Sequence, residues 1–528
     1  MKISFINPPH ADWCLVNNLT WLCMQSYYKQ YGKNNDVVWM EAPYKWDKYQ
    51  SVQDVIDEVI EADVILFSSY SWNYDLCDKI SQRIKELYPN KILILGGPHI
   101  GTHDVDFLYN RKQYDLICKP TKPGEVFITD FLDGKRDISW ELNSYSKTPF
   151  HFSNVSVYRE HIEYLKKLKK YSDENSLECL IVLETTRGCP FACTFCEWGG
   201  GTETKIIKKE IETVKEDILA IKEAGYVEVY LADANFGVFE ERDLEIFNFA
   251  NDNDIIFTDV STLKTKDLNR KIRLLNFWFN TVGKQNTKQL SVPNISIQSL
   301  SDEAMKVCKR LDLSCSDKLK LGKYIHDKCH KEGYPIPSLE FIMAMPGSTL
   351  QDFYDEFDVI ADFKSWGTIR HDYMFLPDTE LCDKEYLRKY QIELVEVYTD
   401  LVDEDGIDNN SLLYQGKRNY FKTLNSCYSF SKQDMCEMFI MNNAGPILLE
   451  RYYHLSSMKA SDFIRKCYEI FKSIPEFSEI ENEVYDIFDG NTPPKSIKKI
   501  GGKLRSDCLL DFIVKYELLI KGELFEFC

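Results

Sequence analysis

The chain has 528 residues, more than one ordinary hydrophobic core can organise, so two or three domains are expected. Hydrophobic residues make up 44% and charged residues 28%, a globular balance that excludes a disordered chain. Asp and Glu outnumber Lys and Arg by 83 to 64, giving a net charge of −19, which argues against a broad nucleic-acid footprint.

Residues 1–135 alternate strand and helix. Apolar runs fall at 2–7, 37–40, 64–69, 92–95 and 116–118, with amphipathic stretches around 19–31, 52–60, 76–88 and 124–132. This alternation predicts a doubly wound parallel sheet. Such sheets bind ligands beyond the carboxyl ends of their strands, where the winding reverses. Here those ends are Asn7-Pro8-Pro9-His10, Ser69-Tyr70-Ser71-Trp72-Asn73, Gly96-Gly97-Pro98-His99 and residues 119–123. Their Gly, Pro and aromatic content suits a rim that admits a flat ligand.

Residues 136–175 read as a linker. A second α/β series follows over 176–385, with strands at 179–184, 227–232, 255–260, 294–298, 339–344 and 373–376 and helices at 206–224, 302–309, 316–332 and 350–363. Six β/α units predict a partial barrel whose active site lies at the carboxyl ends of its strands. From 386 to 528 the pattern is mostly helical. No apolar run reaches the ~18 residues of a membrane span, and the opening is too short for the apolar core of a signal peptide. A cytoplasmic protein is therefore expected. Its 17 cysteines then read as buried small hydrophobes and a few metal ligands.

Arg187-Gly188-Cys189-Pro190-Phe191-Ala192-Cys193-Thr194-Phe195-Cys196 directly follows the first strand of the second series. Three thiolates on one loop can bind three corners of a cubane iron–sulfur cluster and leave the fourth iron open. With 17 cysteines in 528 positions, this spacing arises by chance with probability roughly 0.02. A zinc site would use paired C-x-x-C spacings or added histidines, and neither occurs here.

C-x-x-x-C-x-x-C after a first barrel strand is the signature of the radical S-adenosylmethionine (SAM) superfamily. The chain resembles the cobalamin-dependent branch of that superfamily over about residues 1–385, most closely at 184–201. The resemblance implies a 4Fe–4S cluster on Cys189, Cys193 and Cys196, S-adenosylmethionine on the open iron, and Phe195 covering the adenine. Glu197-Trp198-Gly199-Gly200-Gly201 resembles the D-W-G-G stretch of that branch, with Glu in place of Asp. Asp233-Ala234-Asn235-Phe236-Gly237, Ile297-Gln298-Ser299 and Met345-Pro346-Gly347-Ser348-Thr349 end the second, fourth and fifth strands. Glu184, Asp233 and Gln298 are candidates to hold S-adenosylmethionine or substrate. Their alternative roles are a helix cap for the carboxylates and a backbone-satisfied buried amide for Gln298.

The same resemblance makes the front domain a flavodoxin-like cobalamin carrier, with Ser69, Tyr70, Trp72, Asn73, Gly96, Gly97, Pro98 and His99 against the corrin. The D-x-H-x-x-G motif that supplies a histidine to cobalt is absent: His10 and His99 do not match it, and His103 lacks the following glycine. Two readings stand, cobalamin bound without a histidine ligand or a domain that has lost its cofactor. A methylthiotransferase would add three cluster cysteines in front, whereas Cys14, Cys23, Cys77 and Cys118 are spread singly.

The implied activity is methylation of an unactivated carbon of a small-molecule or peptide substrate through methylcobalamin and a 5′-deoxyadenosyl radical. It implies an external flavodoxin- or ferredoxin-like electron donor. Radical chemistry without methylation and a non-enzymatic electron-transfer or regulatory cluster protein are the rivals. No residue is singled out as catalytic. The basic run Lys264, Lys266, Arg270, Lys271, Arg273 is where a nucleic-acid groove would have to lie, and it reads as a solvated helix face.

Overall fold

A computed structural model describes the chain apart from residues 10–13, 71, 101–109, 119–122, 136–154, 197–205, 259, 261–263, 283–294, 335–338, 365–368, 373–375, 377–378, 401–411, 414–417, 490–498, 501–502, 505 and 526–528. The first strands are β1 (Lys2–Ile6), β2 (Cys14–Val16), β3 (Val38–Trp39), β4 (Val64–Ser68), β5 (Ile92–Gly96) and β6 (Leu116–Ile117). All but β2 form one parallel sheet in the order β3-β1-β4-β5-β6, so the winding reverses between β1 and β4. Helices Leu19–Tyr31 and Gly124–Leu132 pack on one face, and Val52–Val59 and Tyr74–Leu87 on the other. Coverage of both faces explains why β4, Val-Ile-Leu-Phe-Ser, is buried throughout and reads as an unbroken apolar run.

β2 leaves this sheet and pairs in parallel with β7 (Glu178–Leu180). The chain then changes partners at residue 181. β8 (Val182–Leu183) joins the second unit, followed by β9 (Thr186–Arg187), β10 (Ile207–Lys208), β11 (Glu228–Leu231) and β12 (Ile256–Thr258). β13 (Ile295–Gln298), β14 (Leu339–Met343) and β15 (Ile369–Asp372) complete the series. Among the described residues these strands form two parallel sheets, β12-β11-β8 and β13-β14-β15, with β9 and β10 as a small antiparallel pair. The strand Ile369–Asp372 is in register with β14, and residues 373–375 of the strand expected at 373–376 lie outside the described residues.

The carboxyl-terminal region is largely helical, with Lys432–Tyr452 as its longest described helix. It also holds an antiparallel hairpin, β16 (Glu393–Asp400) and β17 (Arg418–Ser426), which the sequence reading did not contain. β16 is Glu-Leu-Val-Glu-Val-Tyr-Thr-Asp, rich in β-branched and aromatic residues that favour strands. Among the described residues no helix is long and apolar enough to cross a membrane.

Three hydrophobic cores result. One fills the outer face of the front sheet. A second joins the inner face of that sheet, through Phe5 and Trp21, to Leu183, Val229, Leu231 and Phe257 of the sheet β12-β11-β8 and its flanks. A third joins β13 and β14 to the carboxyl-terminal helices, where Phe357 meets Gly445 so closely that a Cβ there would lie 2.4 Å from its ring.

The second core is closed by one asparagine. Asn17 accepts from Val182 N at 2.8 Å, donates to the Tyr158 hydroxyl at 2.7 Å and is 1% exposed. Asn17→Ala strips two buried polar groups of a partner and should cost about 2–3 kcal/mol. Calorimetry should show a lowered Tm; an unchanged Tm would mean that the strand switch at residue 181 does not depend on this side chain.

Candidate functional site

The cysteine loop begins where β8 ends. Gly188, at φ 96°, makes the turn, and Cys189 and Cys193 are buried while Cys196 is partly exposed. Thr194, between the last two cysteines, pins the loop on three sides. Its N–H donates to Cys308 O at 3.0 Å, its carbonyl accepts from Glu380 N at 3.2 Å, and its hydroxyl lies 3.2 Å from that of Tyr386. Phe195 is partly buried against the third core. No three His, Cys, Asp or Glu side chains among the described residues converge on a single-ion site. Three ligands of a cluster each hold a different iron and need not converge.

The carboxyl end of β8 is fixed by Asp233, which follows β11. One of its oxygens accepts from Thr185 N at 2.6 Å and Thr186 N at 3.0 Å, the other from the Thr185 and Thr186 hydroxyls at 2.5 and 2.9 Å. Burial pushes its pKa up to about 6, with the four hydrogen bonds pulling the other way. Glu184 is likewise occupied. Arg187 grips it through Nε and Nη2 at 2.9 and 2.8 Å and reaches Glu125 of the front unit at 3.0 Å. Burial opposes the charge of Arg187, yet the two carboxylates hold its pKa well above the ordinary value.

Basic residues surround the loop. Arg310 is 6% exposed, and its Nε donates to Asp312 at 2.9 Å. Burial raises the Cys193 thiol pKa, and Arg310 partly offsets this. Lys264 donates to Ala234 O at 2.6 Å, and burial together with Arg310 lowers its pKa. Burial pushes Lys271 down to about 7. Arg270 pairs with Glu240 at 3.1 Å and caps Val238 O at 2.9 Å. Within the basic run Lys264 and Arg270 make internal contacts, while Lys266 and Arg273 lie on an exposed face as the sequence reading had it.

Gln298 ends β13 with φ 72°, at a break in register with β14, and Ala344 follows β14 with φ 58°. Non-glycine residues held in this region cost backbone energy and concentrate at functional sites. Gly347, at φ 96°, presses against Ala304, where a Cβ would lie 2.9 Å from its backbone.

The eight front-rim candidates come together at the ends of β4 and β5. Ser69 N donates to Gly96 O at 2.7 Å, and His99 N to Ser69 O at 3.0 Å. Pro98 and His99 form a short 3-10 turn. Gly97, at φ 102°, would place a Cβ 2.4 Å from Ser69 O, so its missing side chain answers to the neighbouring strand end. Asn73 sits at the reversal point, accepting from Tyr70 N at 2.7 Å and donating to Pro8 O, Ser68 O and Asn7 Oδ1 at 3.0–3.2 Å. Tyr70 stacks on Trp72 at 4.4 Å and Tyr74 on His99 at 4.2 Å. His10, Ser71, His103, residues 119–122 and the Glu197–Gly201 stretch lie outside the described residues.

Sequence reasoning missed Arg310, Asp312 and Lys318. They stand in a stretch, Lys-Arg-Leu-Asp-Leu-Ser-Cys-Ser-Asp-Lys, whose charges look like a solvated turn. The available signal was the pair Thr185-Thr186 next to Arg187-Gly188-Cys189, two adjacent hydroxyls facing one strand-end carboxylate.

Residues 183–360 match the family described as the Radical SAM superfamily. The cobalamin-dependent radical SAM methyltransferase TokK of Streptomyces tokunonensis is 24% identical over 387 residues, covering 65% of this chain and 51% of TokK. The 2-(S-pantetheinyl)-carbapenam-3-carboxylate methyltransferase of Streptantibioticus cattleyicolor is 22% identical, with coverage of 65% and 51%. The chain spans about half the length of these curated relatives. Among solved structures, the cobalamin-dependent S-adenosylmethionine radical enzyme OxsB with aqua-cobalamin and S-adenosylmethionine bound superimposes with a TM-score of 0.60 at 14% identity, over 99% of this chain and 79% of its own. The chain carries a radical SAM domain, and its fold as a whole is that of OxsB.

Asp233 yields a pH prediction. Its folded pKa of about 6 lies above the ordinary ~3.9, so the folded state binds the proton more tightly. The stability contributed by that titration is full below about pH 4 and lost as pH rises through 6. Asp233→Asn, which keeps an acceptor for the two N–H groups, should therefore gain in Tm relative to wild type between pH 4.5 and pH 7.5. Asp233→Ala leaves two buried N–H groups unpaired and should lose about 3 kcal/mol at either pH.

Proposed function

We propose that this chain is a cobalamin-dependent radical SAM methyltransferase, transferring a methyl group from S-adenosylmethionine to an unactivated carbon of a small molecule. The observation that carries this reading is the loop bearing Cys189, Cys193 and Cys196 just beyond β8, within the residues that match the Radical SAM superfamily and behind a sheet of flavodoxin-like strand order. The two methyltransferase relatives support methylation, and the carbapenam named for the second favours a small molecule over a peptide.

The residues present fit the groups this requires. Cys189, Cys193 and Cys196 would hold a 4Fe–4S cluster, with Arg310 and Lys264 balancing thiolate charge. Phe195 would cover the adenine of S-adenosylmethionine, and Gln298 offers an amide to it or to substrate. Glu184 and Asp233 act by holding the loop in place. Ser69, Tyr70, Trp72, Asn73, Gly96, Gly97, Pro98 and His99 form the rim where cobalamin would sit. The cluster supplies the electron that cleaves S-adenosylmethionine, and cobalamin carries the methyl group. The chain's own contribution is to align these groups and keep water and oxygen from them. No disulfide joins its described cysteines, in keeping with the reducing cytoplasm, and the electron would come from a donor of the flavodoxin or ferredoxin kind.

Anaerobically reconstituted protein with reductant and cobalamin should convert S-adenosylmethionine to S-adenosylhomocysteine and 5′-deoxyadenosine. Replacing the three cysteines by alanine should abolish both products and the brown cluster absorbance. 5′-Deoxyadenosine without S-adenosylhomocysteine would point to radical chemistry without methylation, and neither product to a non-enzymatic role.

His99 should not serve as a ligand to cobalt, because it lies in the 3-10 turn, stacked on Tyr74. The paramagnetic reduced cobalt should show no nitrogen splitting from His99, and His99→Ala should leave its spectrum unchanged. Splitting that vanishes in that variant would reverse this assignment.

A further inference from the structure

We propose that Lys318, together with Cys315, is a positioning residue that clamps the strand end around Gln298 and so presents the Gln298 amide to S-adenosylmethionine. The inference rests on the proposed function and deepens its account of how S-adenosylmethionine is held.

Gln298 carries two marks of a residue kept for a ligand. Its backbone takes φ 72°, a left-handed conformation that is costly for a residue with a Cβ. It is also 7% exposed, and among the described residues its side-chain amide meets no hydrogen-bond partner. A buried amide without a partner is costly as well, so folds seldom retain one that has no use.

Both neighbours of Gln298 are held from one helix. Ile297 falls in the register break, where Ser296 pairs with Glu340 and Gln298 with Phe341. Its carbonyl accepts from Lys318 Nζ at 3.0 Å. On the other side the carbonyl of Ser299 accepts from Cys315 Sγ at 3.6 Å. Cys315 and Lys318 stand three residues apart in the first turn of the helix Cys315–Glu332, so they share one face of it. Ser314 caps that turn, its hydroxyl accepting from Asp317 N at 3.1 Å. Two donors on a rigid element thus fix the peptide units that flank Gln298.

A lysine is rarely taken out of water unless it is paired. Lys318 is 3% exposed, and Asp312, 7% exposed, pairs with it at 3.2 Å. Arg310 Nε holds the other oxygen of Asp312 at 2.9 Å. The ion pair favours the charged amine, and a charged donor makes the stronger bond to a carbonyl.

Gln298 also lies within a ligand's length of the cysteine loop. Helix Asp302–Val307 follows it by a few residues and ends at Cys308, whose carbonyl accepts from Thr194 N at 3.0 Å. Its six residues rise about 9 Å, the scale of a nucleoside carrying an amino-acid tail. An amide, with one acceptor and two donors, matches a ribose hydroxyl or a carboxylate.

The test uses full-length protein with its reconstituted cluster kept oxidised, so that S-adenosylmethionine binds without being cleaved. Its dissociation constant is measured by anaerobic equilibrium dialysis for wild type, Gln298→Ala, Lys318→Met and the double variant, after iron content has been matched. Gln298→Ala should weaken binding about tenfold, and Lys318→Met nearly as much. The double variant should bind no more than about twofold weaker than Gln298→Ala, because Lys318 acts through that amide. A lysine with a merely structural role would add its own loss, so an additive double variant overturns the proposal. Lys318→Met with wild-type affinity beside a weakened Gln298→Ala also overturns it and leaves the proposed function standing. If Lys318→Met does not fold, Cys315→Ala decides in its place, alone and combined with Gln298→Ala, and unchanged affinity or an additive loss overturns the proposal. Wild-type affinity in Gln298→Ala overturns it as well. Wild type that loads no cluster or binds no S-adenosylmethionine overturns the proposed function and this inference together.

Discussion

A carboxylate taken fully out of water must be met by donors, and Asp233 is met by four, all from Thr185 and Thr186. That requirement fixes where β8 stops and at what angle the chain leaves it toward Cys189. Thr185 is tied again from behind, because Arg242 donates to Thr185 O at 3.0 Å and to Lys209 O at 2.7 Å. Lys209 N closes the triangle on Thr185 O. Three cysteines proposed to sit at three corners of one rigid cluster would tolerate little freedom at the root of their loop. Asp233 removes that freedom without touching any of them.

The next residue along carries the restraint to the front unit. Arg187 lies between Glu184 on its own loop and Glu125 on the helix Gly124–Leu132, so one guanidinium spans the two sheets. Below it the hydrophobic core is continuous, from Ile3 and Phe5 of β1 to Leu231 of β11 and Phe257 of β12. β2 pairing with β7 adds backbone hydrogen bonds across the same boundary. The front sheet and the sheet β12-β11-β8 therefore hold their strand ends at a fixed separation, as the proposed sharing of one cofactor between them would require.

Sequence carried the parts of this fold whose pattern matches their surroundings. Strands covered on both faces read as apolar runs, and three cysteines on one loop read from their spacing alone. It was weaker where a residue's partner lies far away in the chain. Asp233 and Glu184 were legible as strand-end carboxylates, but their partners could not be read, so ligand and scaffold roles looked alike. Gly97 read as an opening for a ligand, yet its Cβ position faces Ser69. Arg310, Lys264 and Lys271 were the least legible. A buried cation and a solvated one are the same letter, and only the tertiary structure brings Ala234 O or Asp312 alongside. The hairpin β16–β17 was hidden for a similar reason, since its two strands are stabilised by each other across a long connection.

Within that connection, Leu412 and Leu413 are buried in the outer core of the front sheet, beside Trp46, Tyr49 and Ile56, and Leu412 N donates to Tyr49 O at 3.1 Å. The first core encoded by the chain is thus finished by residues translated more than 300 positions after its sheet begins. At a synthesis rate of about 5–20 residues per second, the nascent front unit waits on the order of tens of seconds with that apolar gap open. Folding on the ribosome is then not a simple procession from the amino terminus. The earliest unit stays incomplete until nearly four-fifths of the chain has emerged, and a holdase that shields its exposed face would have its longest task there.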